Sequence, residues 1–203
     1  MVTKGLLVRF NAKHGKDAAV EELLHSAVSL VNAEAGTVAW FAVEFGRHKY
    51  GIVDVFANEE DREVHLNGAV ANALFANADE LFAEPPSIDK LDVLAHKLPA
   101  GPLAQPNTKG LLLTFKPKAE HEQDAASFFI NAKPLADAEP DTTAWFAIRT
   151  QEGEYGIFDT FPDNAGRFKH LIGHIPRELA AHSLSLIGSV PDLELLQVLG
   201  EKL

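Results

Sequence analysis

Two histidines, His65 and His170, each follow an arginine by three residues, Arg62 and Arg167. At that spacing the Arg and the His of each pair share one face of a helix. Imidazole is the side chain whose ordinary pKa suits a base near neutral pH. A guanidinium beside it could steady the anion left when a proton is taken. Asp54 and Asp159, late in an apolar run, are candidates to orient the ring, which completes a catalytic set of His65, His170, Asp54, Asp159, Arg62 and Arg167. Trp40, Trp145, Tyr50 and Tyr155 are candidates for the walls that bind a substrate. Each residue also has a structural reading. The histidines would then be satisfied at a helix–sheet junction, the arginines would form salt bridges, the aspartates would anchor a helix, and the aromatics would fill the core.

These candidates come in pairs because the whole chain says nearly the same thing twice. Residues 3–98 and 108–203 align at a constant offset of 105, and about 34 of the 96 paired positions are identical. Thr3-Lys4-Gly5-Leu6-Leu7 returns as Thr108-Lys109-Gly110-Leu111-Leu112, and Tyr50-Gly51-Ile52 as Tyr155-Gly156-Ile157. So long a period is that of a small domain rather than of a solenoid repeat, which runs ~20–50 residues. The expected organisation is one domain over 1–98, a proline-rich linker over 99–107, and a second domain over 108–203. Retention in both halves is the internal argument that a position matters, and it does not separate packing from catalysis.

The elements that must position these residues follow from hydrophobic period. Gly5 to Phe10 reads as a strand. Val20, Leu23, Leu24, Ala27, Val28 and Val31 form the apolar face of a helix, repeated by Ala125, Phe128, Phe129, Ala132 and Leu135, where Pro134 is expected to kink or shorten the helix. Thr37–Phe45 and Tyr50–Phe56 read as a hairpin. Asn58 and Asp163 are N-cap candidates for the next helix, which breaks at Gly68 and Gly173; Pro176 is expected at a first helical position. Last strands run from Ile88 to His96 and from Leu193 to Leu199. The order β-α-β-β-α-(α)-β is that of the split βαβ, ferredoxin-like, fold. Its strands are apolar on both faces, with Phe41, Val43, Val53 and Val55 on one and Trp40, Ala42, Ile52 and Phe56 on the other. Both faces are therefore covered, and the cover at hand is the other half's sheet, giving an α/β barrel within one chain. Which face looks at the helices stays open, and a direct Asp54–His65 contact requires that theirs does.

Composition narrows the partners. Net charge is -11 and the pI about 5.2, with no basic stripe, which disfavours nucleic acid and anionic membranes. Cysteine is absent, excluding disulfides and thiolate chemistry. No apolar run is long enough to cross a bilayer, and Met1 leads directly into repeat sequence, so a cytoplasmic location is expected. The closest histidines, His170 and His174, lack the acidic neighbourhood of a zinc helix, and no metal site is expected. Phosphate-binding glycine loops and Gly-x-Ser-x-Gly are also missing.

Trp145-Phe146-Ala147-Ile148, Tyr155-Gly156-Ile157-Phe158-Asp159-Thr160-Phe161-Pro162-Asp163, Arg167 and His170-Leu171, with their first-half counterparts, resemble the antibiotic biosynthesis monooxygenase domain family. The resemblance covers almost all of both halves. It implies two ferredoxin-like (βαββαβ) α+β domains forming the dimeric type of α/β barrel inside one chain, hence a monomer (pseudo-dimer) or weak homodimer. It also implies a cofactor-independent monooxygenase for an aromatic, polyketide-like or quinol small molecule, the substrate anion itself reducing oxygen. The alternative is a non-catalytic small-molecule-binding or stress-associated barrel. The halves are not identical: Arg9 becomes Thr114 and Glu44 becomes Arg149. A fused dimer, unlike a homodimer, is free to build two different sites.

Overall fold

The computed structural model describes every residue from Met1 to Leu203. The first repeat folds as β1 (Lys4–Asn11), α1 (Asp17–Asn32), β2 (Thr37–Gly46), β3 (Lys49–Phe56), α2 (Glu59–Leu66), α3 (Ala69–Leu81) and β4 (Ser87–Lys97). The second folds as β5 (Lys109–Phe115), α4 (Glu122–Asp137), β6 (Ala144–Thr150), β7 (Tyr155–Phe161), α5 (Asn164–Leu171), α6 (His174–Leu186) and β8 (Asp192–Lys202). This is the ferredoxin-like order twice. The strands are hydrogen-bonded in the order β1-β3-β2-β8-β5-β7-β6-β4 and close into a barrel, the α+β architecture that the resemblance implied.

The chain divides into two compact units, Met1–Leu91 with Gln197–Leu203, and Asp92–Leu196. These differ from the sequence repeats, because the final strand of each repeat ends in the unit built mainly by the other. In the first unit β3 pairs antiparallel with β1, from Lys4↔Phe56 to Asn11↔Lys49. It also pairs with β2, and the end of β8 pairs with β2 from Trp40↔Lys202 to Glu44↔Gln197. Lys202 then reaches the C-terminus of α1, its Nζ donating to Val31 O at 3.0 Å and Glu34 O at 2.6 Å. In the second unit Lys97, at the end of β4, does the same for α4, donating to Ala136 O at 2.8 Å and Glu139 O at 2.6 Å. A cation at this end of a helix satisfies orphan carbonyls and opposes the macrodipole.

The helices cover one sheet face in each unit. Val20, Leu24, Ala27 and Val31 of α1 pack with Val70 and Leu74 of α3 onto Trp40, Ala42, Tyr50 and Ile52. Ala125, Phe129 and Ala132 of α4 pack with Ile175 and Leu179 of α6 onto Trp145, Ala147, Tyr155 and Ile157. The Trp–Tyr–Asp face therefore looks at the helices. Phe41, Val43, Val53 and Val55, and in the second unit Phe146, Ile148 and Phe158, are buried on the opposite face. The repeated Tyr-Gly-Ile has a steric cause: a Cβ at Gly51 or Gly156 would collide with the carbonyl of Val8 or Leu113 on the neighbouring strand.

The caps form as expected, Asn58 Oδ1 accepting from Asp61 N and Asp163 Oδ1 from Gly166 N, each at 2.9 Å. Two expectations need correction. Pro134 does not shorten α4, which has 16 residues like α1. Proline costs one hydrogen bond, to the carbonyl of Ile130, and Ile130 lies on the exposed side, where water can take that carbonyl. Pro176 is the third residue of α6, not the first; the N–H it lacks is still one of those a helix leaves free in its first turn.

Candidate functional site

Sequence reasoning proposed one site per half, and the tertiary structure assembles most of it. Alternation along β3 aims Asp54 at the helices, and cross-strand pairing sets Trp40 directly opposite it. The cap at Asn58 starts α2 at an angle that returns His65 to the end of the strand. His65 Nε2 then lies 3.0 Å from Asp54 Oδ2. Its Nδ1 meets a residue the sequence reading missed, Glu34 in the α1–β2 connection, at 2.5 Å. Thr37, also missed, donates from Oγ1 to the same carboxylate at 2.9 Å. The second half repeats all of this: His170 Nδ1 to Glu139 at 2.6 Å, Nε2 to Asp159 at 3.1 Å, and Thr142 to Glu139 at 2.7 Å. A signal for the missed residues existed, since Glu34/Glu139 and Thr37/Thr142 are among the identities between repeats.

An imidazole held between two carboxylates in a dry site favours its charged form. Burial pulls the His65 pKa down, but Asp54 and Glu34 outweigh it and raise the pKa to about 9. His170 is raised in the same way by Asp159 and Glu139. Burial pushes the Asp54 carboxyl up and brings that of Asp159 to about 7, against the pull of the imidazolium. The 3.0 Å contact is an ion pair that leaves both Asp54 oxygens without a hydrogen-bond partner, and Trp40 Nε1 also has none; Asp159 and Trp145 are alike. Each imidazole is held between two carboxylates rather than open to a substrate.

The arginines do not face a substrate either. Arg62 donates from Nη1 to Gly5 O at 3.1 Å and Leu91 O at 2.9 Å, and Nη2 pairs with Glu59. Arg167 donates to Gly110 O at 3.1 Å, Leu196 O at 2.9 Å and Asn164 Oδ1 at 2.8 Å. Each ties an α-helix to two strands. The cavity beside Asp54 and His65, lined also by Leu6, Ile52 and Leu74, holds about 20 Å³, room for a single water and far below the ~300–1,000 Å³ of a ligand site. Tyr50 and Tyr155 lie four residues up the strand from these aspartates, ~13 Å away.

Space of substrate size lies elsewhere. In the second unit a groove of about 680 Å³ runs between α4 and α6, lined among others by His121, Asp124, Phe128, His174, Glu178 and His182. His174, Glu178 and His182 recur every fourth residue along one face of α6, and Phe128 faces His182 at 6.0 Å between ring centroids. Nδ1 of His182 donates to the Glu178 carbonyl at 2.8 Å, and Nδ1 of His121 to Asp124 at 2.8 Å. A carbonyl can only accept, so the neutral His182 ring carries its lone pair on Nε2. No group of three or more His, Asp and Glu side chains is arranged to hold a metal ion. In the first unit the equivalent helices are bridged by Lys16 Nζ and Glu80 Oε1 at 2.8 Å, where the second has His121 and Ser185. The sequence reading noted His174 only as a poor zinc ligand; three histidines and an aromatic at helical spacing were the signal that could have found this groove.

Comparison with known proteins bears on the fold. No protein-family model matches the chain, and neither does any curated protein sequence. Among solved structures, a "putative monooxygenase" from Fusobacterium nucleatum matches with a TM-score of 0.86 at 15% identity, covering 99% of this chain and 94% of that one. An uncharacterised ferredoxin-fold protein related to antibiotic biosynthesis monooxygenases, from Listeria monocytogenes, matches with a TM-score of 0.58 at 9% identity, over 98% and 95%. NE2512 from Nitrosomonas europaea, a protein of unknown function, is 51% identical over 50% of this chain and 98% of its own, with a TM-score of 0.49. The chain thus has, from end to end, the tandem ferredoxin-like fold found among monooxygenase-related proteins. No helix is long and apolar enough to cross a membrane.

Proposed function

We propose that this protein is a monooxygenase-like enzyme acting on an aromatic or quinol-type small molecule, and that its substrate lies in the α4–α6 groove of the second unit. The observation that carries this reading is the groove itself. It joins substrate-sized volume, the aromatic wall of Phe128 and an imidazole, His182, whose accessible nitrogen holds a lone pair. The reaction class needs little more. A CH2 flanked by two aromatic rings and conjugated through them to a carbonyl, as in an anthrone, gives a proton to His182 Nε2, and the resulting anion delivers electrons to O2. One oxygen atom becomes the new C=O and the other leaves as water, so no external reductant enters the balance. The buried Glu–His–Asp clusters serve in this reading to hold α2 and α5 on the sheet; both ring nitrogens of His65 and His170 are already engaged.

A second reading is a non-catalytic barrel that binds a small molecule in the same groove. It is supported by the exposure of His174 and His182 to solvent, since anion oxidation gains from excluded water. Oxygen uptake with a panel of anthrones and hydroquinones, without added flavin or metal, decides between them. Uptake that falls at least tenfold in His182→Ala supports the enzyme. Saturable binding of the same compounds with no uptake supports the binding barrel. Uptake indifferent to His182 removes the groove from the mechanism.

A further inference from the structure

The two tyrosines that begin β3 and β7 sit in matched frames with opposite surroundings. Tyr50 is sealed. Its hydroxyl lies 3.1 Å from Asp17 Oδ1 and 3.2 Å from Glu21 Oε1, and His48 Nδ1 holds Asp17 from the other side at 2.8 Å. Its cross-strand neighbour is Glu44. Two carboxylates therefore hold the phenol, and its pKa is pushed well up by burial and by Asp17.

At Tyr155 every one of those partners has changed. Glu21 is replaced by Ala126 and His48 by Gly153, while Asp17 becomes Glu122. The cross-strand neighbour is now a cation, Arg149, which pairs with Asp92 at 2.6 Å through one of its five N–H donors. Where carboxylates hold the hydroxyl in the first unit, the second has a cleft of about 530 Å³ lined by Glu120, Glu122, Gln123, Ala126, Arg149 and Tyr155. The ring of Tyr155 is almost wholly buried, at 2% exposure.

Backbone geometry marks the same place. Gly15 and Gly153 adopt positive φ, 78° and 79°, as turn glycines do. Their counterparts, Glu120 and His48, adopt it without being glycine, at 69° and 64°, a conformation that strains a residue with a Cβ. His48 offsets this through Asp17. Glu120 makes no such contact; its strained position puts a carboxylate at the rim of the cleft.

We propose that this cleft binds a small zwitterion of the amino-acid class, its carboxylate taken by Arg149 and the Tyr155 hydroxyl and its ammonium by Glu122 and Glu120. Charge supports the pairing: Arg149, held by Asp92 through one donor, and the Tyr155 phenol line one cleft with the carboxylates of Glu120 and Glu122, in a space that admits a side chain. A guanidinium recognises a carboxylate through two parallel donors. The cleft lies on the other face of α4 from the groove, so its role does not depend on the groove's.

The test uses the intact chain, 15N-labelled, titrated with L-phenylalanine, 3-phenylpropionate and phenethylamine. The expected result is saturable shifts at the amides of Glu122, Arg149 and Tyr155, with the amino acid binding more tightly than either single-charge analogue. Arg149→Glu and Ala126→Glu restore the first-unit residues and should weaken amino-acid binding by roughly tenfold or more. Tyr155→Phe, which keeps the ring, should weaken it by severalfold without moving the unfolding midpoint. Glu122→Gln should weaken the amino acid and leave 3-phenylpropionate unchanged. Absence of saturable shifts, equal affinity for all three compounds, or full binding in Ala126→Glu would each overturn the proposal.

Discussion

The first and second units share a backbone and a buried charge cluster, and they part company on their surfaces. Inside, Glu34–His65–Asp54 and Glu139–His170–Asp159 agree to within 0.1 Å in both ion-pair distances. Outside they differ: in the first unit Lys16–Glu80 bridges α1 and α3, the counterparts of the helices that flank the groove, and Asp17 with Glu21 holds the tyrosine hydroxyl. Identity between repeats therefore marks what holds each unit together, and difference marks where the two surfaces part. A duplicated chain frees its two copies to build different surfaces; the first unit's own cleft, of about 410 Å³, lies beside Phe75, Phe82 and Pro85 instead.

The largest break in that comparison should come from the shared part. His65→Ala or His170→Ala leaves a buried aspartate and a half-buried glutamate facing each other without the imidazole, and each should cost about 3–5 kcal/mol in urea unfolding. Near-equal losses would confirm that the clusters do the same structural job; a stable His170→Ala protein that has lost oxygen uptake would return that histidine to the chemistry.

Alkaline pH should weaken both units by the same route. The His65 pKa is raised to about 9 in the folded chain against 6.5 as its ordinary value. The folded protein then keeps a proton that the unfolded chain has released, so this contribution is complete below about pH 6.5 and is lost as pH rises towards 9. Each histidine contributes a slope of at most about 1.4 kcal/mol per pH unit. Unfolding midpoints followed from pH 6 to 9 should fall along that slope, and more gently in His65→Ala.

Lys97→Met and Lys202→Met sharpen the comparison at smaller scale. Each removes a C-terminal cap from one helix, α4 or α1, and should cost about 1 kcal/mol or less. Hydrogen exchange should quicken in the helix that lost its cap and not in its counterpart, so Lys97→Met acts on the second unit although it belongs to the first repeat. The smallest effect is expected from Glu80→Ser, which copies Ser185. An exposed ion pair contributes little, so the unfolding midpoint should stay in place while α3 loses its tie to Lys16.

Much of the fold was legible because it is written in local chemistry. The caps at Asn58 and Asp163, the hairpins, and the apolar stripe of α1 depend on residues within a turn or two of each other. Of the site, the sequence brought out His65, Asp54, Trp40 and their repeats, since identity at an offset of 105 singles them out. It did not bring out Glu34, in the α1–β2 connection, or Thr37, the first residue of β2, although both recur in the second repeat; they gain meaning only when α2 folds back over them. Nor could it show that Arg62 is consumed by the carbonyls of Gly5 and Leu91, because which carbonyls a strand leaves unpaired depends on its neighbours.

The duplication, the element order and the aspartate and histidine pairs were determined by the sequence alone, for periodicity and identity are properties of a string. Only the tertiary structure decided which sheet face meets the helices, whether an imidazole is a base or a held cation, and which unit each last strand completes. Lys97 and Lys202 are the same residue in the two repeats, yet one caps α4 and the other α1. The reason is physical: a strand's partner is fixed by where its backbone hydrogen bonds can close, and a side chain's charge by the groups that packing brings against it.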